Sequence, residues 1–202
     1  MLFLLWTDPY FGFIALGNII FALSFHECAH AWIASLLGDN TAKNEGRITL
    51  NPCVQFEWYG FLLMLILGYG WAKPVTFNPE NLKNPDRGEA IISLAGPASH
   101  VVLASLFTLA FHFLDSEVIF IGLYINFFLA FLNMMPLYPL DGEKVLAYLS
   151  PKGLGNFLKS IRYISYFSLL ILVGFSVVFQ VNLFSSVIDP LVSSIIAILT
   201  GF

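Results

Sequence analysis

The sequence predicts an all-α integral membrane protein. We expect one bundle of about five transmembrane helices, with a re-entrant segment and two short strands at the membrane surface. Of the 202 residues, 58% are hydrophobic and 11% are charged, whereas soluble domains carry about 25% charged residues. Several stretches approach the roughly 20 apolar residues that cross a bilayer as a helix. The net charge of −4 leaves nucleic-acid binding without electrostatic support.

Five stretches are predicted to cross the bilayer: Phe11–Leu37, Ala90–Leu114, Val118–Leu140, Tyr163–Val181 and Leu183–Phe202. The last one is interrupted, because Asp189 could cap a helix whose first residue is Pro190, and that helix alone is too short to span. We expect a single membrane domain, with a motif-bearing core at about 11–149 and C-terminal helices at about 155–202.

The chain between the first two predicted spans contains a shorter apolar stretch. Gly60–Ala72 is too short to cross and is better suited to a re-entrant or interfacial segment. Arg47–Leu50 and Val75–Phe77 alternate in polarity and adjoin Asn-Pro pairs, a pattern that predicts two short strands. A strand edge there could accept an extended peptide. A polar loop without a binding role fits the same residues equally well.

The basic residues predict the orientation of the chain in the membrane. All nine Lys and Arg residues fall within 43–47, 73–87 and 144–162. Lys and Arg in short loops mark the cytoplasmic side. The pattern is self-consistent only if Gly60–Ala72 does not cross. The C-terminal half of the first span and the C-terminal end of the third then face the cytoplasm.

The motif with the most specific chemistry lies inside the first predicted span. His26 and His30 are four residues apart, so their imidazoles project from one helix face and can share a metal ion. Glu27 lies about 100° around the helix, within reach of a water molecule held there. Ionisable groups buried in a span are costly and usually functional. The alternative is a hydrogen-bonded polar cluster that joins helices. Cys28 points to the opposite face and is interpreted as an apolar filler.

A catalytic zinc ion needs a third protein ligand, and Asp141 is the candidate. Two prolines, Pro136 and Pro139, break the helix near the cytoplasmic end of the third span just before it. Taken alone, Asp141 could instead be the N-cap of a helix that begins at Gly142. The predicted topology favours metal ligation, because it places Asp141 on the same membrane side as the two histidines and at a comparable depth.

The order and spacing of these motifs resemble the site-2 protease family of intramembrane zinc metalloproteases, most closely its short prokaryotic members. The resemblance covers residues 20 to 145. Four motifs carry it: His26–His30, Gly70–Val75, Leu94–Pro97 and Asn133–Gly142. It implies a protease in a prokaryotic cell membrane, which cleaves membrane-embedded segments of substrate proteins near the cytoplasmic face.

The resemblance also implies roles for individual residues. His26, His30 and Asp141 would bind one zinc ion, and Glu27 would activate the attacking water and then protonate the leaving amine. Asn133 occupies the position that the family mechanism assigns to oxyanion stabilisation, a role that suits an amide donor in a dry site. An interhelical hydrogen bond is the alternative role for Asn133.

Two departures from the family pattern bear on substrate handling. His100 stands where family members often have an asparagine, and Gln55 and Glu57 stand where short members often have a histidine and an aspartate. His100 could contact the substrate backbone, support a metal ligand or tie two helices together, and packing is the favoured role. Two other functions stay open: a catalytically silent homologue that binds membrane proteins, and a metal-ion transporter.

Overall fold

The computed structural model describes residues 1–67, 70, 72–179, 181 and 183–201, and its regular structure is helical. The helices are α1 (Leu2–Thr7), α2 (Pro9–Leu36), α3 (Thr41–Asn44), α4 (Pro52–Gln55), α5 (Trp58–Leu67), α6 (Pro85–Leu114), α7 (Glu117–Asn133), α8 (Asp141–Leu149), α9 (Lys152–Ser160), α10 (Arg162–Phe179) and α11 (Leu183–Thr200), with a 3-10 turn at Pro79–Asn81. The predicted all-α class is confirmed.

Among the described residues, three helices are long and apolar enough to cross a membrane: α2, α6 and α11. A fourth span is possible if α9 and α10, which meet at a bend of 59°, are counted together. The structure therefore supports three to four spans, where the sequence predicts about five. The difference lies in α7, which has 17 residues and ends at Asn133 rather than at Leu140. Pro136 and Pro139 follow, and each lacks the amide hydrogen that a helix interior uses.

Proline and a preceding polar residue define where the two longest helices begin. Asp8 precedes Pro9, and its carboxylate accepts a hydrogen bond from the Phe11 amide at 3.1 Å. Asn84 precedes Pro85 and caps α6 in the same way, accepting from the Arg87 amide at 3.1 Å. Such a pair satisfies a free amide of the first turn, and proline fixes the backbone for the helix start.

The prediction of two strands is wrong. Neither 47–50 nor 75–77 forms a strand, and the described residues contain one isolated antiparallel bridge, between Phe56 and Ala72. The Asn-Pro pairs that were expected to bound strands begin short helical turns instead, at Pro52 and Pro79.

Hydrogen bonds from side chains, rather than strand pairing, stabilise the irregular segment after α3. The Gln55 amide donates to the carbonyl groups of Arg47 and Thr49 at 2.9 and 2.7 Å. The Arg47 guanidinium donates to the carbonyl group of Val54 at 3.0 Å and also to that of Lys73. Because these side chains occupy carbonyl groups that a β-ladder would use, alternation in the sequence does not produce strands here.

The predicted interruption before Pro190 is also wrong, because α11 runs through this proline. Asp189 therefore caps no helix, and its carboxylate accepts a hydrogen bond from the Tyr124 hydroxyl of α7 at 2.5 Å. Of the stretches predicted above, residues 68, 69, 71, 180 and 202 lie outside the described residues, and α5 covers the first part of the expected re-entrant segment.

The apolar core lies where α6, α7 and α11 pack together. Its fully buried members include Ala104, Leu123 and Val192, one from each helix. A second apolar cluster packs the C-terminal end of α2 against the N-terminal part of α6, through Ala34 and Ile92. Since α6 packs against α2, α7 and α8, side chains from all four helices can meet in the interior.

Candidate metal centre

Three potential metal ligands converge inside the bundle. The Nε2 atoms of His26 and His30 lie 2.9 Å apart, and each lies 3.2 Å from Asp141 Oδ2. The ligand atoms of these three residues all fall within 4.8 Å of one another. Each residue is buried, with at most 7% of its surface exposed. The structure thus brings together the three residues that the sequence predicts as ligands.

Local structure explains how Asp141 reaches the histidines. Asp141 is the first residue of α8, and its side chain makes no capping hydrogen bond to that helix. The alternative role as an N-cap is therefore wrong. Burial raises the pKa of the Asp141 carboxyl, but His30 and His26 outweigh this effect and hold that pKa well below its usual range. Metal ligation requires the ionised form of this carboxyl group.

His30 is held in the tautomer that a metal ligand needs. Its Nδ1 lies 2.6 Å from the Ile92 carbonyl oxygen of α6. A carbonyl oxygen only accepts, so Nδ1 carries a proton, and in the neutral imidazole the lone pair is therefore on Nε2, the atom 3.2 Å from Asp141 Oδ2. Metal-binding histidines commonly donate their second nitrogen to such an acceptor.

Gly96 allows α6 to approach the two imidazoles. A Cβ atom on Gly96 would lie 2.3 Å from His26 Cε1, and 2.5 Å from the Nε2 atoms of both His26 and His30. No side chain fits there, so the Ala-Gly-Pro motif has a local explanation. The convergent donor set and the space left by this glycine both fit a bound metal ion.

Glu27 lies next to the ligands in sequence and is buried beside a positive charge. Its Oε2 is 3.7 Å from Arg47 Nη2, and Arg47 itself is 2% exposed. In the sequence, Arg47 is interpreted only as an orientation signal and as part of an expected strand. The structure places its guanidinium beside the Glu27 carboxylate. Arg47 lies outside α2 and far from Glu27 along the chain, so sequence spacing does not indicate this pair.

The remaining predicted residues occupy distinct places. His100 contacts His26, whereas the Asn133 amide donates to the Leu129 carbonyl group of its own helix at 2.9 Å. The oxyanion role of Asn133 stays a prediction.

Cys28 is not among the converging groups of the described residues. It lines an apolar groove of about 600 Å³ between α2 and α6. Gln55 is fully buried.

Fold and site together define a helical membrane protein with a buried His-His-carboxylate metal centre. The chain is 35% identical over 150 residues to "Putative zinc metalloprotease YwhC" of Bacillus subtilis, an alignment that covers 67% of this chain and 68% of that protein. It is 35% identical over 145 residues to "Putative zinc metalloprotease MJ0611" of Methanocaldococcus jannaschii, covering 66% and 67%. It therefore belongs to this family of zinc metalloproteases.

A more distant relative has the same description. "Putative zinc metalloprotease Rip2" of Mycolicibacterium smegmatis is 29% identical over 146 residues, covering 66% of this chain and 56% of that protein. No family model matches the chain, and no solved structure matches it.

Proposed function

We propose that this protein is an intramembrane zinc endopeptidase of the site-2 protease type. It cleaves membrane-embedded segments of other proteins near the cytoplasmic face of a prokaryotic cell membrane. One observation carries the proposal: His26 Nε2, His30 Nε2 and Asp141 Oδ2 meet in a buried site. Both histidines lie on α2, a helix long enough to span the bilayer. The family relationship supports a protease that uses zinc.

The chain supplies separate groups for binding the metal and for moving protons. His26, His30 and Asp141 would hold zinc, which when bound polarises the scissile carbonyl and lowers the pKa of water. Glu27 accepts the proton of the attacking water and passes it to the leaving amine. Arg47, 3.7 Å from the Glu27 carboxylate, favours one position of that side chain by charge attraction.

The membrane location places demands on the substrate. Peptide bonds in a transmembrane helix are hydrogen-bonded within the helix, so a substrate helix must unwind locally before water can attack. The clustering of Lys and Arg supports a site near the cytoplasm, because it places the C-terminal half of α2 and the start of α8 on that side. Hydrolysis also requires that water reach this site.

Neither alternative function gains support from the site or the relatives. A catalytically silent homologue does not require Glu27, which is intact beside both histidines. A metal-ion transporter requires ionisable residues along a path across several spans, whereas the predicted ligands cluster at one place.

The proposal is tested by comparing membrane proteomes of cells that express the wild-type chain or Glu27→Gln. We expect truncated membrane-protein fragments in wild-type cells and the intact precursors in Glu27→Gln cells. Glu80→Gln changes an exposed acid to which no role in the site is assigned, and it is the matched control, for which fragments are expected as in the wild type. The same fragments in Glu27→Gln cells would contradict the proposed proton transfer and support the silent homologue.

A further inference from the structure

A buried row of polar side chains leads from His26 away from the metal ligands. His26 Nδ1 lies 3.1 Å from His100 Nε2 on α6, and His100 Nδ1 lies 3.1 Å from Asn126 Oδ1 on α7. The row ends where Asn126 Nδ2 donates to the Gly122 carbonyl group at 2.9 Å. His100 and Asn126 are both completely buried. Burying polar side chains in an apolar bundle costs free energy, so their presence here requires an explanation.

When both imidazoles are neutral, only one assignment of protons satisfies every contact in this row. The Asn126 NH2 group must face the Gly122 carbonyl group, which leaves Oδ1 as an acceptor toward His100. His100 Nδ1 therefore carries a proton. In a neutral imidazole the other nitrogen, Nε2, is then an acceptor, so the proton between the rings belongs to His26 Nδ1.

This proton assignment determines the state of His26 Nε2, the nitrogen that would bind the metal. With its proton on Nδ1, His26 keeps a lone pair on Nε2, the atom 3.2 Å from Asp141 Oδ2. His30 reaches the same state through a backbone carbonyl group, that of Ile92. The two ligands are thus oriented by different means, because His26 depends on side chains from two other helices and His30 depends on the main chain.

We propose that His100 and Asn126 are positioning residues, which hold His26 in the tautomer and ring orientation that bind zinc. The proposal deepens the proposed function, since it rests on the zinc centre, but it needs no knowledge of the substrate. It also assigns a role to the histidine that replaces the more common asparagine of the family. An imidazole carries two nitrogens on opposite sides of the ring, so it can bond His26 and Asn126 simultaneously.

The test is zinc affinity of the full-length chain in detergent, measured by competition with a chromogenic chelator. We expect His100→Leu and Asn126→Leu to bind zinc about 10- to 100-fold more weakly, the usual effect of losing such a partner. His112→Leu is the control, because His112 is an exposed histidine on the same helix, bonded to its own turn. Its affinity should equal that of the wild type.

A pair of amide variants separates hydrogen bonding from packing, even if the leucine variants do not fold. The amide of His100→Gln can lie near the position of Nε2 and accept from His26, whereas the shorter amide of His100→Asn lies near the position of Nδ1 and leaves His26 without a partner. We expect near wild-type zinc affinity and an unchanged visible spectrum with cobalt(II) for His100→Gln, and at least tenfold weaker binding for His100→Asn.

Two results would overturn this assignment. One is zinc affinity within threefold of the wild type in His100→Asn. The other is equal loss in His100→Gln and His100→Asn, which would indicate a packing role. Absence of zinc binding by the wild-type chain would instead reject the proposed zinc centre itself. Zinc binding without proteolysis would reject the proposed protease while leaving the roles of His100 and Asn126 in place.

Discussion

Asp141 Oδ2 lies 3.2 Å from His30 Nε2, although the chain passes through α3 to α7 between the two residues. The fold achieves this contact by packing α6 against both α2 and α8. The turn before α8 is closely packed, because a Cβ on Gly142 would lie 2.2 Å from the Met134 carbonyl oxygen. The Asp-Gly pair thus combines a ligand with the residue that lets the chain present it.

Removing the Asp141 carboxylate should abolish tight zinc binding. In Asp141→Ala two imidazoles remain, and we expect zinc affinity to fall by more than the roughly 10- to 100-fold that follows loss of an outer partner. Zinc per chain after equilibrium dialysis is the measurement. Glu57→Ala, at an exposed acid, is the control and should keep full zinc content. Unchanged affinity in Asp141→Ala would show that Asp141 is not a ligand.

Adding one methyl group at Gly96 should disable the centre. In Gly96→Ala the new Cβ would lie 2.3 Å from His26 Cε1, so the imidazoles or α6 must move. We expect loss of zinc affinity and a destabilisation of about 1–3 kcal/mol, as is typical of overpacking. The matched control is Gly17→Ala on α2, where no atom lies within 4 Å of the new Cβ. Chelator competition and thermal unfolding in detergent distinguish the two variants.

The local part of the site could be predicted from the sequence, and the long-range part could not. Helical periodicity alone places His26 and His30 on one face, and the prolines before Asp141 indicate a break at the end of a span. Pairing His100 with Asn126 requires the relative positions of α6 and α7, which sequence spacing does not contain. An asparagine inside an apolar span was nevertheless a signal for Asn126.

The errors in the fold have a similar cause. Alternation at 47–50 does not specify what bonds the backbone, and it does not match burial either, because Arg47 is buried whereas Ile48 and Leu50 are exposed. Here Arg47 and Gln55 take the carbonyl groups, and this depends on where Lys73 and Val54 lie in space. Asp189 and Pro190 were expected to interrupt the last span, with Pro190 as the first residue of a new helix, but a proline inside a membrane helix is tolerated when neighbouring groups satisfy the backbone.

Asp39 should make stability depend on acid pH. Its buried carboxylate accepts hydrogen bonds from the Thr41 hydroxyl at 2.6 Å, the Asn81 amide at 2.7 Å and the Asn78 backbone at 2.8 Å. Burial raises the pKa of Asp39, but these hydrogen bonds outweigh burial and lower it below its ordinary value. A carboxyl with a lowered pKa in the folded state stabilises the protein at pH values above the ordinary Asp pKa of about 3.9.

That contribution is lost as the pH falls through the lowered pKa of the folded state. We therefore expect the melting temperature of the wild type to decrease below about pH 4. Asp39→Asn should be less stable at neutral pH by about 1–3 kcal/mol, the cost of disturbing buried hydrogen bonds. Its melting temperature should also decrease less steeply over the acid range. Parallel curves for the two proteins would contradict this role of Asp39.

The hydrogen bond between Tyr124 and Asp189 should fasten α11 to α7. The hydroxyl and the carboxylate lie 2.5 Å apart on two helices that also share the apolar core. Hydrogen bonds between membrane helices contribute about 0.6 kcal/mol on average, with a maximum near 1.7. We expect Tyr124→Phe to destabilise the chain by at least this amount, because it leaves the Asp189 carboxylate without its partner in an apolar setting.

A double-mutant cycle separates the contact from the cost of an isolated carboxylate. In Asp189→Leu the half-buried carboxyl group is removed together with the hydrogen bond, so a further Tyr124→Phe change should have little additional effect. Asp189→Asn keeps an acceptor and should retain most of the stability. Unfolding in mixed detergent gives all four free energies. Additive effects of the two single changes would show that Tyr124 and Asp189 do not act together, and the attachment of α11 would then rest on apolar contacts such as those of Val192.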